Sequence, residues 1–216
     1  MKIDFVSDVS CPWCAIGLTA LEQALGRIGP ELQASLHFQP FELNPQMGAE
    51  GQEIVEHLGQ KYGIDAAQIA ANTEAIRQRG ATLGFTFGIG KRSRIYNTFD
   101  AHRLLHWAGL SGAVPQRALK HALLKAYFTD GLNPSDPTVL LQAALAAGLD
   151  EAGARAVLAS DDYAAEVRQA ESFYQQQGIQ AVPAVIINDR HLISGGQPVE
   201  VFERALRQIA AESVPG

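Results

Sequence analysis

Sulfur is scarce in this sequence: 216 residues hold two cysteines and two methionines. Two cysteines cannot build the multi-bridge framework with which small secreted domains replace a core. Zinc needs four ligands, usually a second Cys-x-x-Cys or a histidine pair at ligand spacing, and no such partners are arranged around these two. Positive charge is also short. Lys and Arg number 17 against 23 Asp and Glu, a formal net charge of −6 at pH 7, so there is no basic footprint for nucleic acid. No apolar run approaches the ~20 residues that span a bilayer, and no membrane partner is expected. The N-terminus lacks the apolar h-region and cleavage site of a signal peptide, so a cytoplasmic protein is expected. In that compartment structural disulfides are disfavoured, and a lone cysteine pair points to redox chemistry. With 47% hydrophobic and 19% charged residues the chain is ordinarily globular, long enough for one large domain or a domain with a sizeable insertion.

What is present begins at the two cysteines, Cys11-Pro12-Trp13-Cys14. They follow an apolar run from Ile3 to Val6 that reads as a strand. From Cys14 the stripe Cys14, Leu18, Leu21, Leu25, Ile28 has spacings of four and three, a helix with one buried face that ends at Gly26 and Gly29-Pro30. Leu32, Ala34, Leu36 and Phe38 then alternate with polar residues as a second strand, which makes a βαβ unit with parallel strands. From about Gly51 to Gly178 nearly every segment is helical in period, with Asp65, Asn97 or Thr98, Asp136-Pro137, Asp150 and Ser160 as helix starts and one helix running from Ala113 to Phe128. This block predicts a helical insertion without strands. Strands resume at Ala184 to Asn188 and His191 to Ser194 about an Asn-Asp-Arg turn, and Pro198 opens a last helix. The order β-α-β, helices, β-β-α is the thioredoxin order with helices spliced into its middle. The expected division is residues 1–48 for the N-terminal half, 49–160 for the insertion and 161–216 for the C-terminal half, forming one composite unit.

A strand feeding a Cys-x-x-Cys at a helix N-terminus is a redox signature. Unpaired backbone N–H groups and the positive end of the helix dipole favour a thiolate there. Cys14 lies on the buried stripe and Cys11 at the terminus, which predicts Cys11 as the exposed nucleophile and Cys14 as the resolving thiol. Pro12 occupies a first-turn position that needs no N–H donor. Val182-Pro183 opens a strand where a missing ladder donor is tolerated; by itself it reads as a trans bond, while the thioredoxin order implies a cis-proline there, facing the cysteines. His102 and His106 stand four apart, but without the glutamate of His-Glu-x-x-His they read as a packed helical pair, and no metal site is expected. His37, His57, His121 and His191 are given no partners. Gly84 to Ser93 fails the P-loop spacing and reads as a loop, with Lys91, Arg92 and Arg94 as solvated surface. Ser194-Gly195-Gly196 would present amides at a helix N-terminus, a potential carboxylate site.

The chain resembles the DsbA family of thiol–disulfide oxidoreductases, in its FrnE-like branch. The resemblance spans essentially the whole chain. It rests on Asp8-x-x-Cys11-Pro12-Trp13-Cys14-x-x-Gly17, Pro40-Phe41-Glu42-Leu43-Asn44-Pro45, Asn97-Thr98-x-x-Ala101-His102-x-Leu104, Ala126-Tyr127-Phe128-x-x-Gly131, Val182-Pro183-Ala184 and Ile193-Ser194-Gly195-Gly196-Gln197-Pro198. It implies an α/β thioredoxin fold with a large helical insertion, and dithiol–disulfide exchange at Cys11 and Cys14 with Pro183 as the cis-proline. It further implies that Pro12, Trp13 and Val182 tune the potential, and that Asn44, Asn97 and His102 tune it or bind substrate. Disulfide- or thiol-containing proteins or peptides would be the partners, with no bound cofactor. The same superfamily holds 2-hydroxychromene-2-carboxylate isomerases and kappa-class glutathione transferases, which typically carry serine where Cys11 stands. A glutathione-dependent isomerase or transferase, with glutathione as co-substrate, is therefore the rival enzyme reading. A peptide-binding or chaperone-like protein with incidental thiols is the non-catalytic one.

Overall fold

A computed structural model describes residues 1–212. The strand β1 (Lys2–Ser7) is buried on both faces from Ile3 onward, which places it inside the sheet. The helix α1 (Pro12–Ile28) returns the chain to β2 (Ser35–Pro40), which pairs parallel to β1 from Lys2↔Ser35 to Ser7↔Pro40. Near the C-terminus β5 (Ala184–Ile187) pairs antiparallel to β1, and β6 (His191–Ser194) closes a hairpin onto β5. The hairpin turns through the three-residue loop Asn188-Asp189-Arg190, with Asn188 and Asp189 at positive φ, which these side chains tolerate. The resulting sheet has the order β2-β1-β5-β6.

The predicted stripe of α1 is buried at Cys14, Leu18, Leu21 and Ile28, and Gly29, at φ 63°, ends the helix. This face packs against α9 (Val199–Glu212), whose Phe202 and Leu206 share a core with Ile3, Phe5, Phe38, Val185 and Ile187. Each fully buried side chain of this size contributes about 2 kcal/mol. Val6, Phe41, Tyr174 and Ile179 form a smaller cluster with Ala184.

Between β2 and β5 lie α2 (Ile54–Tyr62), α3 (Ala66–Thr82), α4 (Phe99–Leu110), α5 (Ala113–Leu124), α6 (Pro137–Ala146), α7 (Glu151–Leu158) and α8 (Ala164–Gln176). Asp65 builds a full capping box with Gln68, and Asp136 and Asp150 cap α6 and α7 as their positions predict. Leu104, Leu119, Leu123, Leu140 and Val157 make the core of this block, and Val9 joins them from the loop just ahead of the cysteines. Gln116 of α5 grips the edge of the sheet: it accepts from the Phe38 amide at 3.0 Å and donates to the Phe38 carbonyl at 3.1 Å. No helix among the described residues is long and apolar enough to cross a membrane.

The structure corrects several expectations. The insertion is not strand-free: β3 (Gln52–Glu53) and β4 (Arg94–Ile95) form a two-residue antiparallel bridge. Such a pairing is too short to leave a period-2 pattern in the sequence. The helix expected to run from Ala113 to Phe128 widens into a π-turn at Lys125–Thr129, which lets the neighbours Tyr127 and Phe128 both point inward. Ser160 does not start α8; the chain turns through Tyr163, at φ 64°, before the helix begins. The basic cluster is not simply solvated. Arg92 stacks on the rings of Tyr127 and Phe128, 5.0 and 4.9 Å from their centroids, and Arg94 donates to the carbonyls of Glu50 and Gly51. All four histidines left without partners also have them: His37 with Ser35, His57 with Gln52 and Asn44, His121 with Glu22, and His191 with Glu212.

Candidate active site

Cys11 is the N-cap of α1 in an extended conformation, and its carbonyl accepts the amides of Cys14 and Ala15. The cap has no side-chain hydrogen bond, which leaves the first-turn amides near the sulfur. Both thiols are free. Cys14 is fully buried, and burial, followed by the hydrogen bond its thiol donates to Cys11 and that neighbour's charge, raises its thiol well above the ordinary value. Cys11 is covered too, at 4% exposure, which corrects the expectation of an exposed nucleophile. It remains the more accessible of the pair. Its cover comes from the loop opposite, where the Cys11 thiol donates to the Val182 carbonyl at 3.7 Å and Val182-Pro183 is cis, as the sequence predicts.

Two glycines allow that approach. A Cβ on Gly17 would stand 3.0 Å from Pro183 Cγ, and one on Gly196 would stand 3.0 Å from the Trp13 carbonyl. Gly196 is thus packed against α1.

Asp8 holds the loop ahead of the cysteines. Its carboxylate accepts the Ser10 amide at 3.1 Å and the Leu43 amide at 2.7 Å, and His102 Nε2 lies 3.6 Å from Oδ1, an ion-pair distance. Burial alone would push the carboxyl up; His102 and the two amides outweigh it and hold it at about 2. A carboxyl depressed from 3.8 to about 2 contributes about 2 kcal/mol of stability, present above about pH 4 and lost as pH falls through about 2. Asp8→Asn is therefore expected to show a urea midpoint that changes less between pH 5 and pH 2 than the wild type's. Equal changes in the two proteins would contradict this.

The residues named by resemblance separate into two groups. Asn44 lies on the rim, where its Oδ1 accepts from Lys61 Nζ at 2.7 Å and from His57 Nε2 at 3.0 Å. His102 is buried against Asp8, behind the cysteines. Asn97 serves the fold: its side chain accepts the Phe99 amide at the start of α4 and donates to Glu42. Trp13 is 44% exposed and Tyr62, at the end of α2, is 57% exposed. Burial, and then the charge of Cys11, raises the Tyr62 phenol. Lys61 and Tyr62 escaped sequence reasoning because nothing in their spacing links α2 to the cysteines. Asp8 was visible only as part of a motif.

A cavity of about 430 Å³ lies elsewhere, between α2, α3 and the loop 87–92, and neither cysteine lines it. No group of three or more metal-ligating side chains is gathered among the described residues. Across residues 2–207 the sequence matches the DSBA-like thioredoxin domain. The chain belongs to that family.

Among solved structures similar to this DSBA-like chain, the probable DsbA oxidoreductase SCO1869 of Streptomyces coelicolor is 34% identical, with a TM-score of 0.91 over all of this chain and 92% of that one. The uncharacterized protein YwbO of Bacillus subtilis (strain 168) is 27% identical over 207 residues, 95% of this chain and 96% of its own. The cytosolic disulfide reductase DsbM of Pseudomonas aeruginosa, solved with GSH, is 17% identical, with a TM-score of 0.66 over 98% of this chain and all of that one. At that identity the likeness is one of fold. The family is one of DsbA-like oxidoreductases, which supports an enzyme of that general kind.

Proposed function

We propose that this protein exchanges disulfides with thiol- or disulfide-bearing proteins, peptides or small molecules through Cys11 and Cys14. The observation that carries the reading is the pairing of a helix-capping thiol, Cys11, with a fully buried second thiol three residues on, across from Val182 and Pro183. The Cys11 thiolate attacks one sulfur of a substrate disulfide; a Cys11–substrate disulfide forms and the other sulfur leaves as a thiolate that takes a proton from solvent. Cys14, as thiolate, then attacks the Cys11 sulfur. The Cys11–Cys14 bond forms and the substrate's second thiolate is released. The protein ends oxidised by two electrons and the substrate reduced; the reverse sequence oxidises a dithiol.

Trp13 and Tyr62 offer exposed aromatic surface on the side where a substrate would approach, and Lys61 adds a positive charge. Glutathione belongs to this reading as a small thiol co-substrate, and a cytoplasmic setting suits a lone redox pair. Cys14→Ser is expected to accumulate a stable mixed disulfide at Cys11 when the reduced protein meets glutathione disulfide, seen as one added glutathione by intact mass. Wild type under the same conditions should lose two hydrogens and carry no adduct. An unmodified Cys14→Ser protein would reject the mechanism.

A further inference from the structure

The exchange described above leaves one buried ionisable group without a task. Lys120, on α5, is fully buried, and its Nζ has no hydrogen-bond partner among the described residues. An ammonium so placed is costly unless a negative charge faces it. Its position is fixed by its own helix. One turn earlier, Gln116 clamps α5 to the edge of β2 at Phe38, so the face carrying Lys120 is turned toward the sheet, with Nζ 5.9 Å from the centre of the Phe38 ring.

Phe38 belongs to the same buried cluster as Cys11 and Cys14, and the groups whose charge bears on Lys120 come from there and beside it: Cys14 of α1 first, then Asp8 and Cys11 from the loop ahead of it. His102 of α4 sits against Asp8. Glu22 of α1 is engaged by Arg117 and His121. Asp8 is held ionised by its amides and His102, which makes it a fixed negative charge and a poor proton acceptor. Cys14 has no exposed surface through which bulk water can take its proton.

We propose that Lys120 is the internal base for disulfide closure, accepting the proton of Cys14 as that thiol attacks the mixed disulfide at Cys11. The inference rests on the exchange reading above. The Lys120 amine and the Cys14 thiol become an ammonium and a thiolate; the thiolate forms its bond to the Cys11 sulfur as the substrate sulfur departs with the electron pair of the broken bond. In the reverse direction the ammonium returns the proton to the departing Cys14 sulfur. Burial pushes the Lys120 ammonium down, which favours the free amine that can accept a proton, and pushes the Cys14 thiol up, which is why that thiol needs a base. The base is contributed by the helical insertion to a site whose thiols lie on thioredoxin elements.

The test uses the full-length reduced protein and 5,5′-dithiobis(2-nitrobenzoate) in stopped flow. Wild type should release thionitrobenzoate in two steps, attack by Cys11 and closure by Cys14. In Lys120→Met, which keeps the apolar stem, the second step should fall about 10²-fold relative to the first at neutral pH and recover as pH rises. A second step within twofold of wild type, with an unchanged pH profile, would overturn the proposal. Should Lys120→Met fail to fold, the lysine ε-carbon resonances of the wild-type protein decide. Lys120 is expected to titrate below the other lysines and to move when the cysteines oxidise; titration with the surface lysines, unaffected by oxidation, would overturn it. A fast first step that survives in Cys11→Ser would instead strike at the exchange reading itself.

Discussion

Cys11→Ser is expected to lower disulfide-exchange turnover by at least about 10³-fold, because a serine hydroxyl at neutral pH supplies no thiolate. The fold should survive. Cys11 makes one weak thiol contact, to the Val182 carbonyl, and its capping role is played by its backbone. A hydroxyl fits the same position and can make a shorter bond to that carbonyl. The thermal midpoint should therefore stay within a few degrees while activity collapses, a separation that a structural cysteine would not show. Insulin reduction measured by turbidity, beside the thermal midpoint, reads both quantities. Turnover within tenfold of wild type would remove Cys11 from the chemistry. Cys14 cannot substitute, since it is fully covered and its thiol is raised well above the ordinary range.

The largest expected loss of stability is at Arg103. Its guanidinium is buried and donates to the carbonyls of Asp162, Val157 and Ser160 and to the Asp100 carboxylate. One side chain thus satisfies the open end of α7 and the turn that leads into α8. Arg103→Ala leaves those carbonyls unpaired beneath α4, and a loss of about 3 kcal/mol is expected. For a chain of this length that lowers the thermal midpoint by on the order of 10 °C. Arg103→Lys should rescue little, because an ammonium cannot reach several carbonyls with one planar fork. Urea unfolding of the three proteins checks this, and an Arg103→Ala loss under about 1 kcal/mol would contradict the role assigned to the network.

Arg103 also shows where sequence reasoning stops. Three of its four acceptors lie more than 50 residues away and are backbone groups, which carry no side-chain signature. The βαβ unit, the capped helices and the closing hairpin were legible because each is written in local period, caps or turn residues. Asp65, Asp136 and Asp150 begin helices through bonds that reach only two or three residues ahead. The cysteines were legible by spacing, and their roles by the stripe that begins at Cys14. The cover over Cys11 was not, because it arrives from residue 182, across the fold. Lys120 left a trace that apolar counting passes over: Gln116 and Lys120 sit four apart on a helix whose neighbouring positions, Leu119 and Leu123, are buried. Two polar residues on an otherwise apolar helix face are a signal worth reading. The partners of Arg92 left none, since stacking on Tyr127 and Phe128 depends on a π-turn that periodicity does not foresee.

Val9 carries a last consequence. Its side chain lies in the core of the helical block, two residues before the nucleophile, so the loop bearing Cys11 is fastened to both halves of the fold. The inserted helices are therefore not a portable cassette. Joining residue 48 directly to residue 161 would keep every strand of the main sheet yet remove the floor beneath Val9, along with Lys120 and His102. What remained would be a pair of cysteines still resting on the sheet and α9 but stripped of the insertion's share of their surroundings, retaining the emblem of the family but not its working chamber.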